Sequence, residues 1–388
     1  MLTKNIELIS FKKKQNTSKI KAIFQNIKKN FLNKSDRLLM SFSNNYQYSF
    51  KINEIKKYKK FNRINIIGMG GSALGAAAIY SFLKFKIKKN FFFLNNLKLK
   101  KKIEKINQLN IFIPKSGNTL ETINNFHNFN RRNKSLFITE NKNNYLRKIA
   151  NQMKSEIFEH RDFIGGRYSV LSETGMLPAM LMGLNSKKFK RLNYLISNKN
   201  FQKNLVSNVS TIISLYKNKK TNSIILNYDE DSQDLFYWYQ QLIAESLGKK
   251  GKGILPIISL VPKDNHSLMQ LYLDGPKNNF FTFFFVEDSD NQKLDTKYLL
   301  NTHYYLKNKK TLDILKAQFF ATQSVFNKRK IPHRSFIIKK RNEETLGELF
   351  TFFMLETIML GKALKLNPFD QPEVELIKKE TKKILTSF

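Results

Sequence analysis

An apolar run that breaks into glycines and resumes as a helix limits how this chain can fold more than any other feature. The stretch is NIIGMGGSALGAAAIYSFL, from Asn65 to Leu83, and it places four glycines, Gly68, Gly70, Gly71 and Gly75, within eight positions. That order reads as a buried strand, a tight turn and a helix. Such a turn presents bare backbone N–H groups and the positive end of a helix dipole, so it favours an anion, above all a phosphate. Two familiar phosphate motifs do not fit. A P-loop requires Gly-x4-Gly-Lys-Ser/Thr, and this loop contains no lysine. A dinucleotide fingerprint would accept Gly68, Gly70 and Ala73, but it expects an acidic residue about 20 positions later to hold a ribose. FKIKKNFFFLNN, from Phe85 to Asn96, has neither Asp nor Glu.

Along the rest of the chain apolar runs alternate with helical patterns, the signature of βαβ units and parallel sheets. In the first half RINIIG, LNIFIP, SLFIT and SEIFEH read as strands, with helices after Ser72, after Asn118 and at ETGMLPAMLMGL. The second half repeats the alternation. NSIILNY is followed by the helix SQDLFYWYQQLIAESLG, the apolar runs LPIISLV, HSLMQLYL and FFTFFFVE, and the helix TLDILKAQFFATQSVF. RSFIIKK and the long helix TLGELFTFFMLETIMLGKAL come next. A Lys- and Asn-rich stretch, NSKKFKRLNYLISNKNFQKN, separates the halves. The expected fold is α/β, with two doubly wound parallel-sheet domains over residues 56–195 and 210–370. A basic helical segment, 1–55, precedes them, and a C-terminal helix, 371–388, follows.

The length agrees with that division, since 388 residues correspond to about two domains. No apolar run approaches the roughly 18 residues of a membrane span. MLTKNIELISFKKKQN lacks the sustained apolar core and small-residue cleavage site of a signal peptide. A cytoplasmic protein without a membrane partner is expected. The absence of cysteine excludes disulfides, thiolate catalysis and Cys-based zinc sites, and the five histidines show no metal-binding spacing. No metal is expected. With 68 basic and 30 acidic residues the net charge is +38. Lys, Asn, Ile and Phe share AT-rich codons and are enriched together, so coding bias accounts for the lysines without a polyanion. They are also spread through the chain instead of forming one basic stripe. No nucleic-acid partner is expected; the positive field favours small anionic substrates.

In doubly wound sheets ligands sit outside the carboxyl ends of the strands. A second loop there, IPKSGNTLETI, offers the hydroxyls of Ser116, Thr119 and Thr122 around a helix start, with Lys115 adding a charge. Hydroxyls with free N–H groups suit a phosphate monoester. The same residues also suit an ordinary helix N-cap.

GMGGSALG, KSGNTLETI and DFIGGRYSVLSETGM, then QQLIAESLGK, NHSLMQLYLDGP and LNPFDQPEVELIKK, occur in an order and spacing that resemble the glucose-6-phosphate isomerase family. The resemblance runs from about Ile64 to Lys379 and is to a short, bacterial-type member. It implies two sugar-isomerase (SIS) domains, each a three-layer α/β/α unit, that bind a sugar phosphate without cofactor or metal and work as a homodimer. It also implies isomerisation of glucose 6-phosphate and fructose 6-phosphate through an enediol. Substrate contacts are implied at Gly71, Ser72, Lys115, Ser116, Thr119, Gly166, Gln241 and Gln371.

The residues agree with the implied chemistry. Glu245 resembles the family's base; it lies four residues after Gln241, so the two share a helix face, and Gly248 reads as the helix stop. Arg167 resembles the arginine that stabilises the enediolate, and an arginine's charge is permanent. Lys378 matches the lysine that assists ring opening. Two positions depart from the pattern. Leu273 stands where many members, including the animal enzymes, carry a ring-opening histidine, which makes His266 a second candidate for that step. Pro372 and Glu373 stand where animal forms have Trp and Gly. A related isomerase that also accepts mannose 6-phosphate and a non-catalytic sugar-phosphate sensor are the alternatives. A sensor would keep the phosphate loops without needing Glu245, Arg167 and Lys378 together.

Overall fold

In a computed structural model of the chain, residues 1–12, 16–97, 107–128, 133–288 and 293–387 are described. Ten strands occur among them, in chain order β1 (Ile6–Ile9), β2 (Arg63–Ile67), β3 (Asn90–Leu94), β4 (Leu109–Phe112), β5 (Lys134–Thr139), β6 (Glu156–Glu159), β7 (Asn222–Asn227), β8 (Leu255–Leu260), β9 (Asn279–Val286) and β10 (His333–Ile338). One sheet has the spatial order β3-β2-β4-β5-β6, all parallel. The other has the order β1-β10-β9-β7-β8, parallel except for β1, which lies antiparallel along β10. In each sheet the first parallel strand, β2 or β7, has the second on one side and the third on the other. That reversal opens a crevice outside the carboxyl ends of β2 and β4, and another outside those of β7 and β9.

The strands are apolar on both faces, as covered parallel sheets require. Ile64, Ile66, Leu109, Ile111, Leu136 and Ile138 face a core shared by the whole molecule. Alternate residues Ile67, Phe112 and Phe137 face outwards onto Phe126 and Leu146, from the helices Leu120–His127 and Tyr145–Gln152. The second sheet divides in the same way. Ile225, Phe280, Phe284 and Phe336 join the shared core, whereas Ile224, Leu226, Phe281 and Phe283 pack on Phe319 and Phe326 of the helix Thr311–Lys328. Between the sheets runs the helix Glu343–Ala363, almost wholly buried. It carries Glu348 and Glu356 into the core, and both are paired. Arg334 forms a fully buried ion pair with Glu356, and Arg191 Nη2 lies 3.1 Å from Glu348 Oε1. The fold is thus mixed α/β with two parallel sheets.

Four details differ from the sequence expectation. The segment 1–55 contains helices but opens with β1, which is too short and too lysine-flanked to show a period and becomes a strand by pairing with β10. Thr3 Oγ1 anchors it by donating to Glu348 at 2.7 Å. NFFFL forms the edge strand β3, although its lysine-rich flanks gave no alternation. HSLMQLYL, which stood among the apolar runs, contributes the helix Met269–Asp274 instead of a strand. The C-terminal helix starts at Val374, after Gln371 and Pro372.

Candidate active site

The crevice between β2 and β4 is built from the glycine-rich segment. Ile113 N donates to Ile67 O at 2.8 Å, so the two strands end together and their loops emerge side by side. Gly70, with φ +54°, turns the chain into the helix Gly71–Phe82. A Cβ on Gly71 would lie 2.2 Å from the Gly166 carbonyl, and one on Gly70 would lie 2.5 Å from Gln241 Nε2. The glycines therefore let three segments close on one another: the loop after β2, the 3-10 turn Gly166–Leu171, and the helix Gln233–Leu247. Ser72 is buried in the first turn of its helix.

That closure delivers Arg167 to Glu245. Arg167 is 2% exposed, and its Nη1 lies 3.1 Å from Glu245 Oε2. The other carboxylate oxygen accepts from Gln241 Nε2 at 2.8 Å, the expected i, i+4 contact on the helix that Gly248 ends. Arg167 Nε donates to Ser246 Oγ at 2.9 Å, and Nη1 also donates to Gln371 Oε1 at 2.5 Å. Nη2 donates to the carbonyls of Pro368 at 2.8 Å and Asp370 at 2.9 Å. A guanidinium has five N–H donors, and all five are engaged. Trp238 Nε1 fixes the backbone by donating to Arg167 O at 3.1 Å. A cavity of about 630 Å³ opens beside this group, lined by Gly70, Asn95, Asp234, Tyr237, Gln241 and Glu245 among others. Gln241 Oε1 is a buried acceptor without a partner among the described residues.

The second loop sits at the end of β4. Thr119 is the N-cap residue of Leu120–His127, but its side chain caps no N–H. Ser116 is exposed and accepts only a long bond, 3.5 Å, from Asn118 N. These hydroxyls are not consumed by the helix start. Lys115 donates to Asp162 O at 3.3 Å and lies 3.5 Å from Glu140 Oε1. It lines a different cavity, of about 530 Å³, with Arg37, Gly165 and Phe369.

Two proposed ring-opening groups are not brought to Arg167 and Glu245. Lys378 is exposed on the helix Val374–Leu385, none of whose residues is buried, and pairs with Glu375 at 2.6 Å. Sequence reading joined it to the site through FDQPEVE, and of that stretch only Asp370 O and Gln371 reach Arg167. His266 is exposed in the 3-10 turn Lys263–His266 and, among the described residues, makes no hydrogen bond to either group. Ser246, Tyr168, Trp238 and the Pro368 carbonyl carried no sequence signal; their role follows from where Arg167 lies. The same holds for Lys190. This fully buried ammonium donates to the Ser41 and Leu171 carbonyls and lies 4.5 Å from the Tyr46 ring centroid. It joins the N-terminal segment to the end of the turn that bears Arg167. Burial pushes its pKa down to about 7 and pushes that of Tyr168 up to about 12, which keeps the phenol a neutral donor.

Comparison with known proteins places the chain among relatives. The family model described as phosphoglucose isomerase matches residues 50–255. The chain is 29% identical to a glucose-6-phosphate isomerase of Methanocaldococcus jannaschii over 389 residues, covering 92% of this chain and 93% of that protein. It is 32% identical to a glucose-6-phosphate isomerase of Mycoplasmopsis synoviae over 351 residues, covering 82% and 81%. Among solved structures, a hypothetical protein from Thermus thermophilus aligns with a TM-score of 0.82 at 23% identity, over 95% of this chain and 96% of that one. A glucose-6-phosphate isomerase from Chlamydia trachomatis aligns with a TM-score of 0.71 at 18% identity, over 86% and 72%. At these identities the two structures speak for the fold.

Proposed function

We propose a reaction for this chain from one premise: it belongs to the phosphoglucose isomerase family. The reaction is the reversible interconversion of glucose 6-phosphate and fructose 6-phosphate through an enediol. The observation that carries it is the Glu245–Arg167 pair at 3.1 Å, in which a carboxylate that lines the 630 Å³ cavity is held by a permanent cation buried behind it. Moving a hydrogen between carbons 2 and 1 needs a base that takes and returns a proton and a charge that holds the developing oxyanion. A carboxylate offers about four acceptor positions, and Gln241 and Arg167 occupy two, which leaves room for the substrate proton. An enediolate oxygen would take the Nη1 donor that Gln371 now holds, and Gln241 Oε1 would accept a sugar hydroxyl.

Gly71, Ser72, Ser116 and Thr119, at the ends of adjacent strands, are the phosphate ligands in this reading. Gly166 provides the close approach, and Lys115 swings from Glu140 towards the anion. Lys378 would open the ring only once its helix moves towards the site from the exposed position it holds here, with His266 as the alternative; Gln371, bound to Arg167, tethers the segment before that helix beside the site. The protein acts as a cytoplasmic homodimer. No helix among the described residues is long and apolar enough to cross a membrane.

The test is a coupled assay of purified protein on fructose 6-phosphate, run beside mannose 6-phosphate. Glucose 6-phosphate formed from the first alone is the expected result. Turnover of both would make the enzyme bifunctional. Binding without turnover would make it a sensor and overturn the reading.

A further inference from the structure

Of the five contacts that hold the Arg167 guanidinium, one comes from the residue next to Glu245. Nε donates to Ser246 Oγ at 2.9 Å. Ser246 is fully buried and follows Glu245 directly, so the acceptor that holds the cation and the carboxylate opposite it are set by one turn of one helix. The Ser246 hydroxyl lies 3.0 Å from Tyr168 OH, which donates to Pro368 O at 3.2 Å. A phenol has one proton. Once Tyr168 gives it to Pro368, the proton between Ser246 and Tyr168 must come from Ser246, which leaves the serine oxygen free to accept from Arg167. The three bonds therefore run in one direction: Arg167 Nε–H to Ser246, Ser246 O–H to Tyr168, Tyr168 O–H to Pro368 O. Helical serines commonly bond back to a carbonyl one turn earlier; this one gives its proton to Tyr168 and accepts from Arg167. Alanine is the better helix former, so the helix itself gives no reason for a serine here.

We propose that Ser246 is a positioning residue for the isomerisation, holding the Arg167 guanidinium against the Glu245 carboxylate that lines the cavity, with Tyr168 fixing the orientation of the serine hydroxyl. The inference rests on the roles assigned above to Glu245 and Arg167. Neither Ser246 nor Tyr168 touches substrate. Ser246 acts through Arg167, whose value to the reaction lies in being already aimed at the oxyanion as it forms.

The experiment compares Ser246→Ala, Tyr168→Phe and the double variant in the fructose 6-phosphate assay, with thermal unfolding measured beside it. Ser246→Ala should lower kcat by roughly 10- to 100-fold while KM stays within about 2-fold, the pattern of an interaction realised in the transition state. Its melting temperature should stay close to wild type. Because the bonds act in series, the double variant should lose no more than Ser246→Ala alone. A Ser246→Ala enzyme with wild-type kcat overturns the proposal, as does a double variant whose losses multiply. If Ser246→Ala does not fold, Tyr168→Phe decides: a lower kcat at unchanged KM supports the chain, and wild-type kcat overturns it. Glu245→Gln, run in parallel, separates the two levels. Its inactivity beside a fully active Ser246→Ala removes the positioning role and leaves the base standing, whereas an active Glu245→Gln removes the base and the positioning role with it.

Discussion

In the proposed reaction Glu245 and Arg167 carry different parts of the chemistry, and substitutions at each scale of their surroundings should fail differently. Glu245→Gln keeps size and hydrogen-bonding capacity but removes the base, whose contribution is about 10² to 10⁴-fold. Turnover should collapse by at least that factor while fructose 6-phosphate still binds, and exchange of the carbon 2 proton with deuterated solvent should fall with it. Isomerisation within a few-fold of wild type would mean that Glu245 is not the base. As the proposed phosphate ligands, Ser116 and Thr119 would stand further from the reacting carbons. Their joint replacement by Ala should act chiefly by raising KM, although remote binding energy also supports turnover. An unchanged KM would remove the phosphate from this loop.

At the scale of elements, two buried charges report on how the helices are held. Lys190 clamps the N-terminal segment to the turn Gly166–Leu171, and among the groups around it are Glu173, Tyr46 and Tyr48. Its pKa falls from an ordinary 10.5 to about 7 through burial. Between those values the unfolded chain binds the proton more tightly than the folded one, so stability contributed by this group rises with pH through the window and is lowest below pH 7. Denaturant midpoints should climb from pH 7 to 9 in the wild type, and Lys190→Met should flatten that slope. Measurement stops short of pH 10, where tyrosines begin to titrate in the unfolded chain. The second charge is Glu356, fully buried with Arg334 in the helix between the sheets. Glu356→Gln leaves a guanidinium in the core without its counter-charge. Urea denaturation should show a loss of about 3 to 5 kcal/mol, while KM in any folded protein stays near wild type.

Across the whole molecule, two sheets of the same winding present two crevices, and the described residues fill them differently. At the carboxyl ends of β7, β9 and β10, Arg341 pairs with Asp229, and its N–H donates to Asp288 at 2.7 Å. Protein groups meet each other there. Outside the ends of β2 and β3 they meet a cavity, and the second half of the chain serves that site by lending the helix of Gln241 and Glu245. The chain as a whole carries +38 and so a positive long-range field. Attraction of a sugar phosphate by that field is screened by salt, so kcat/KM should fall as ionic strength rises, with kcat changing less. A kcat/KM independent of salt would mean that the charge does not steer the substrate.

The sequence by itself determined the parts whose chemistry is local. A glycine cluster after an apolar run can only be a tight turn. Gln241 and Glu245 share a face because a helix repeats every 3.6 residues, and Gly248 stops that helix. The alternation of strands and helices set the winding of both sheets. Tertiary structure alone decided β1, whose four residues become a strand only beside β10, and the edge strand β3. It decided that Thr119 leaves its hydroxyl free, and that the glycines at 70 and 71 bring Gln241 and Gly166 onto the loop. It also decided the company of Arg167, since Ser246 and Pro368 lie 79 and 201 residues away in the chain. No period or spacing records such contacts, because hydrogen bonds between distant segments are chosen by what the packed core brings together.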